Sequence, residues 1–127
     1  MSEKTATDFV KEAKAEIENL SPEQVKAELD AGDATLIDIR EADELASNGR
    51  IAGSTHAPRG MLEWYADETF PNYHKPEFDK EKRLILHCAG GGRSALAVKT
   101  LKEMGYKNVA HLDGGIAAWK NAGLPTD

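Results

Sequence analysis

Apolar residues return every three or four positions between Asp8 and Leu20, at Phe9, Ala13, Ile17 and Leu20. That period predicts a first helix over the stretch. Residues 1–7 are polar and read as a frayed start. Ser21-Pro22-Glu23-Gln24 then reads as a new helix start. Serine supplies the N-cap, proline fills a position whose N–H has no partner anyway, and Gln24 completes a capping box. This second helix buries Val25 and Leu29 and ends at Gly32. Residues 34–39 form an unbroken apolar run apart from Thr35 and Asp38, the pattern of a strand covered on both faces. A short helix over 41–47, a turn at Asn48-Gly49 and a second short strand ending before Pro58 come next.

Residues 59–80 have no clear period and carry five aromatic residues, with Pro71 and Pro76 as breakers. Residues 60–65 predict one or two helical turns, and the aromatic stretch 62–78 is a candidate apolar lid. Residues 83–87 predict the clearest strand. It runs into Cys88 and a glycine-rich turn, and a helix follows from Arg93 to Gly105. A last strand over 108–112 and a helix over 116–121 complete the order. Strands alternating with helices predict an α/β domain, with a small central, mostly parallel sheet and helices on both faces. Residues 1–20 read as a helical extension and 21–127 as the main domain.

The chain has 127 residues, 40% hydrophobic and 30% charged, as expected of one soluble domain. A net charge of −6 with no basic run argues against nucleic acid and against an anionic membrane as partners. The N-terminus has neither the apolar run of a signal peptide nor a membrane span, so cytoplasm is the expected location. The single cysteine excludes an internal disulfide or dithiol cycle. His56, His74 and His111 lack the spacing of a metal site, and no metal or other cofactor is expected.

The candidate chemistry lies in His87-Cys88-Ala89-Gly90-Gly91-Gly92-Arg93-Ser94. Open α/β sheets place their sites at such strand ends. Three glycines release the backbone for a tight turn, so that successive N–H groups converge above the sulfur. The following helix points its N-terminus at the same place, and Arg93 adds a positive charge. Each of these favours thiolate over thiol, and the backbone donors suit a small anionic group carried on an accessible sulfur. His87, one residue earlier on the strand, faces away from the site.

These residues closely resemble the rhodanese family from Leu20 onward. Three segments carry the resemblance. The first is Leu36-Ile37-Asp38-Ile39-Arg40-Glu41 with Glu44, Gly49, Ile51, Gly53, His56 and Pro58, where Arg50 stands at a position at which histidine is common. The second is the loop from Cys88. The third is Leu112-Asp113-Gly114-Gly115-Ile116-Ala117-Ala118-Trp119, ending in Gly123-Leu124-Pro125.

The resemblance implies a rhodanese-like α/β fold and a ping-pong sulfurtransferase. Cys88 takes a sulfane sulfur from thiosulfate or a persulfide, and passes it to cyanide or a thiol. It implies Ala89, Gly90, Gly91, Gly92, Arg93 and Ser94 as the substrate cradle, with Ser94 either capping the helix or bonding the sulfur. Four residues separate Cys88 from Arg93, a count that resembles sulfurtransferases rather than the related phosphatases and arsenate reductases, which have one more. The loop has no basic side chain besides Arg93, which points to a persulfide, or another protein's persulfidic cysteine, as donor.

Arg59 either supplies the positive charge the loop lacks or is simply solvated. Asp38 and Arg40 border the site as structural residues, Asp38 bonding turn amides and Arg40 pairing with Glu44 across one helical turn. Trp64 and Trp119 read as core or cover. The rival to an enzyme is a sulfur-carrier or docking module for a protein partner.

Overall fold

Thr5 and Ser21 each begin a helix in the same way. In a computed structural model, which describes residues 3–127, the Thr5 hydroxyl accepts the Asp8 N–H and the Asp8 carboxylate accepts the Thr5 N–H. Helix α1 (Ala6–Glu16) follows. Residues 1 and 2, part of the stretch expected to be frayed, lie outside the described residues. From Thr5 the capping box draws the chain into α1. Ser21 and Gln24 exchange the same two bonds, at 3.1 and 2.8 Å, and open α2 (Pro22–Asp30).

The first helix does not reach Leu20. It stops at Glu16, and Glu18–Leu20 is strand β1. Asn19 supplies the reason, because its Nδ2 donates to the carbonyls of Lys14 and Ile17 and so closes the helix end. Ile17 packs with one core cluster and Leu20 with another. Their spacing matched a helical stripe although the two residues serve opposite faces of the sheet.

Four more strands follow: β2 (Thr35–Asp38), β3 (Thr55–His56), β4 (Leu84–His87) and β5 (Val109–Leu112). The sheet order is β1-β5-β4-β2-β3, and every pairing is parallel. The helices between them are α3 (Ala42–Asn48), α4 (Leu62–Tyr65) after a 3₁₀ turn at Arg59–Met61, α5 (Gly92–Glu103) and α6 (Gly115–Asn121). Parallel neighbours require crossovers, and helices supply them on both faces.

Side chains alternate across the sheet. Ile37, Leu84, Leu86 and Val109 pack with Leu62 of α4 and Ala97, Val98 and Leu101 of α5. Leu36, Ile85, Ala110 and Leu112 pack with Val25 of α2 and Ile116 and Trp119 of α6. Helix α1 lies along α5 within the same chain and buries Ala13. The segment after α4 is held by Tyr106, whose hydroxyl lies 2.7 Å from Ala66 O and 3.2 Å from Phe78 O. Phe78 and Trp119 are buried. Trp64, read from sequence as core or cover, is 45% exposed, and Phe70 and Tyr73 are also exposed. Among the described residues, no helix is long and apolar enough to cross a membrane.

Candidate functional site: the loop after β4

Alternation along β4 decides which side Cys88 takes. Leu84 and Leu86 face α5, and Cys88 continues that face while His87 takes the other. The chain then turns back through Ala89, Gly90 and Gly91 into α5. Gly91 is the one loop residue with a left-handed backbone, at φ +98°. The freedom expected of three glycines is therefore used at one position. A Cβ at Gly90 would meet nothing within 4 Å, and one at Gly92 would make ordinary contact with Val10.

Two backbone donors reach the sulfur. The Gly91 N–H lies 3.1 Å from Sγ and the Ser94 N–H 3.4 Å. The Cys88 thiol can itself donate to Ser94 Oγ at 3.5 Å. The N–H groups of Gly90, Gly92 and Arg93 have no acceptor among the described residues. Cys88 as a residue is only 1% exposed, against the accessible sulfur expected from sequence. Sγ sits beside the amides of the turn, and Cys88 belongs to the same buried cluster as Leu86 and Ala97.

The carbonyls of Cys88 and Ala89 point the other way, while Gly91 O faces Ser94 Oγ at 3.3 Å. Ile116 N donates to Cys88 O at 3.0 Å and Ala117 N to Ala89 O at 3.1 Å. These are orphan N–H groups of the first turn of α6, used here to hold another segment. Gly115, at φ +63°, lets the two backbones meet, for a Cβ there would lie 2.5 Å from Ala89 O. The Gly-Gly of the C-terminal motif is thus the backing of the cysteine loop.

Arg93 does not stand as a free positive charge. Its guanidinium makes two bonds to the Glu44 carboxylate, at 2.7 and 2.8 Å. That pairing, with the Glu41 N–H, pulls the Glu44 carboxyl down to about 2, and Glu44 holds Arg93 well above its usual value. Glu44 was assigned to Arg40 on helical spacing. Arg40 instead folds back on Asp38, with its Nε and Nη2 at 3.1 and 2.9 Å from the carboxylate. The same Arg40 reaches Gly49 O at 2.8 Å. Arg40 precedes α3 with its side chain turned into the sheet edge, so the helical spacing rule does not apply to it.

The Asp38–Arg40 pair is fully buried on the face opposite Cys88. Burial pushes the Asp38 carboxyl up, but the Arg40 bonds and the nearby His87 outweigh it and hold it below the ordinary range. The expectation that Asp38 bonds a turn amide is met by the Arg40 N–H at 3.0 Å. His87 is buried, its Nε2 lies 3.5 Å from Asp38 Oδ2, and burial pulls its pKa down. Arg59 pairs with Glu63 on the next turn, at 3.0 Å.

Sequence reasoning passed over two residues near the sulfur. His111 on β5 bonds Ser94 Oγ at 2.9 Å through Nδ1, and Asn19 Oδ1 at 2.7 Å through Nε2. Its parity with Val109 put it on the α5 face, and that signal was available. Asn19 had no signal once its segment was read as helix.

A family model described as rhodanese-like domain matches residues 21–122. A sulfurtransferase of Allochromatium vinosum is 33% identical over 96 residues, covering 76% of this chain and 80% of that protein. A thiosulfate sulfurtransferase, GlpE, of Stutzerimonas stutzeri is 32% identical over 116 residues, covering 88% and 92%. A solved structure from Rhodopseudomonas palustris superposes with a TM-score of 0.92 at 40% identity, covering 100% of this chain and 97% of that one. It is described as a protein of unknown function and possible tyrosine phosphatase.

Proposed function

Since the chain belongs to the rhodanese-like sulfurtransferase family, we propose that it transfers a sulfane sulfur through a persulfide on Cys88. The thiolate of Cys88 attacks the outer sulfur of the donor. The donor's S–S bond breaks, and its remainder leaves as sulfite from thiosulfate, or as a thiolate from a persulfide. The new outer sulfur carries the negative charge, and the free N–H groups of Gly90, Gly92 and Arg93 are the donors offered to it. Cyanide or a thiol then attacks that sulfur and returns Cys88 as thiolate. Ala89 completes the turn, and Ser94, in the first turn of α5, supplies the second amide on the sulfur. Asp38 and Arg40 shape the sheet edge from the far face, and Arg59 is assigned no contact with the sulfur.

The observation that carries the reading is the pair of backbone donors at 3.1 and 3.4 Å on a single cysteine at a strand's carboxyl end. Neutralisation of Arg93 by Glu44 bears on the donor. With that charge engaged, a monoanionic persulfide suits the cradle better than dianionic thiosulfate. The same pairing argues against phosphate-ester chemistry, which needs a guanidinium free for the dianion.

Intact mass spectrometry after exposure to each donor tests the proposal. The expected result is a gain of one sulfur atom, faster with persulfide than with thiosulfate, and removed by cyanide. Cys88→Ser abolishes it while the fold survives. Turnover unchanged in Cys88→Ser ends the proposal. Loading without turnover to small acceptors marks a carrier that serves a protein partner.

A further inference from the structure

Asn19, His111 and Ser94 stand in single file and end on Cys88, and the heavy atoms fix the direction of each hydrogen bond. Asn19 Nδ2 lies 2.9 Å from Lys14 O and 3.2 Å from Ile17 O. A backbone carbonyl only accepts, so that atom is the amide nitrogen and the amide oxygen faces His111. An amide oxygen also only accepts, so His111 Nε2, 2.7 Å away, carries the hydrogen. His111 is fully buried, and burial pulls its pKa down to about 4. At neutral pH the ring therefore has one hydrogen, and Nδ1 is an acceptor. Ser94 Oγ lies 2.9 Å from Nδ1 and 3.3 Å from Gly91 O, and gives its hydrogen to the nearer acceptor, the ring. What it turns toward the sulfur 3.5 Å away is a lone pair.

We propose that His111, its tautomer fixed by Asn19, is a positioning residue that acts through Ser94 to hold the hydroxyl hydrogen away from Cys88. A thiol at Cys88 then points its proton at Ser94 Oγ. When that proton leaves, the thiolate competes with His111 Nδ1 for the single hydrogen of Ser94. The arm thus sets how readily Cys88 ionises, which matters to sulfur transfer only if Cys88 is the nucleophile proposed above.

Lys14 of α1 and Asp113 beyond β5, paired at 2.7 Å, face His111, Asp113 favouring its protonation and Lys14 opposing it. Arg93 flanks Cys88 on α5 and is paired with Glu44 of α3. His87 lies on the opposite face of β4, buried beside Asp38. Asn19 precedes the matched family segment of residues 21–122. The arm therefore joins the N-terminal extension to the reactive loop, along the α5 face that α1 covers.

The test is the pH dependence of Cys88 alkylation by iodoacetamide. Asn19→Asp sets a carboxylate against Nε2 and favours a ring protonated on both nitrogens. Nδ1–H then donates to Ser94 Oγ, and the hydroxyl hydrogen turns to the sulfur. Below neutral pH this variant is expected to alkylate about tenfold faster than the parent, the scale of one hydrogen bond to a charged group. In a Ser94→Ala background the difference disappears. His111→Leu tests the same arm without touching α1: it removes the nearer of the hydroxyl's two acceptors, leaves only Gly91 O to compete with the sulfur, and accelerates alkylation only while Ser94 is present. An unchanged rate in both variants, or an acceleration that persists without Ser94, overturns the proposal. Alkylation reads ionisation and the mass gain reads sulfur transfer, so the two readings fail separately.

Discussion

Replacing Gly91 with alanine puts one methyl group into the tightest point of the loop. Two costs follow from the structure. At φ +98° an L-residue is strained, by about 1–2 kcal/mol. The new Cβ would also lie 2.9 Å from Gly114 N and 3.5 Å from Gly114 Cα, so one of two backbones must move. Neither is a side chain that can swing aside. Together the two effects are expected to destabilise the domain by about 2–4 kcal/mol. The movement also displaces the Gly91 N–H, the nearer of the two sulfur donors. Gly90→Ala is the matched control, one residue away with an open surround. It is expected to stay within about 0.5 kcal/mol of the parent. Urea unfolding of both variants, with persulfide loading measured on the same samples, checks the difference. If Gly91→Ala matched Gly90→Ala in midpoint and in loading, the close approach of Gly91 to Gly114 would be refuted.

Asp38→Asn leaves the Arg40 guanidinium buried beside a neutral amide, and is expected to cost about 3–5 kcal/mol, read as a fall in Tm. Its failure to destabilise would mean that Arg40 finds another partner. The Glu44 carboxyl, at about 2 in the folded chain against 4.5 in the unfolded one, contributes stability above pH 4.5 that is lost as pH falls toward 2. Because Arg93 is 39% exposed, solvent screening limits that contribution to about 1 kcal/mol. Glu44→Gln is expected to flatten this part of the stability curve in urea titrations between those pH values, and an unchanged slope would count against the ion pair.

The parts of the fold that could be read from sequence are those where local signals and tertiary packing agree. Ser21-Pro22-Glu23-Gln24 capped a helix because every bond of a capping box lies within four residues. The run 83–87 was a strand because its period and the following glycines said the same thing. Leu20 was misread because its pairing partner, Leu112, is far along the chain, and a three-residue strand carries no period of its own. Arg40 and Glu44 were misread for a related reason. Their spacing predicted a helical pair, but Glu44 had a better partner in Arg93, brought close only by folding, and Arg40 one in Asp38, two residues back along the chain. Cys88 and its loop could be read from sequence as a site, since strand, cysteine and glycines are contiguous. The sulfur's burial could not, and the His111 arm only in part: parity along β5 placed His111 on the α5 face, but Asn19 could not be placed once β1 was read as helix.

The cysteine loop also explains why a second glycine pair lies so far away in sequence. A peptide unit cannot turn its N–H toward the sulfur without turning its carbonyl elsewhere, and a buried carbonyl needs a donor. Cys88 O and Ala89 O find theirs in Ile116 N and Ala117 N, which α6 leaves unpaired at its first turn. For those donors to arrive, α6 must begin against the loop's back at a distance no side chain permits, which Gly115 allows. Ala89 O shares its peptide unit with the Gly90 N–H, so holding that carbonyl from behind helps set where that N–H points. A change at Gly115 should therefore be felt at Cys88, even though the whole loop backbone stands between them.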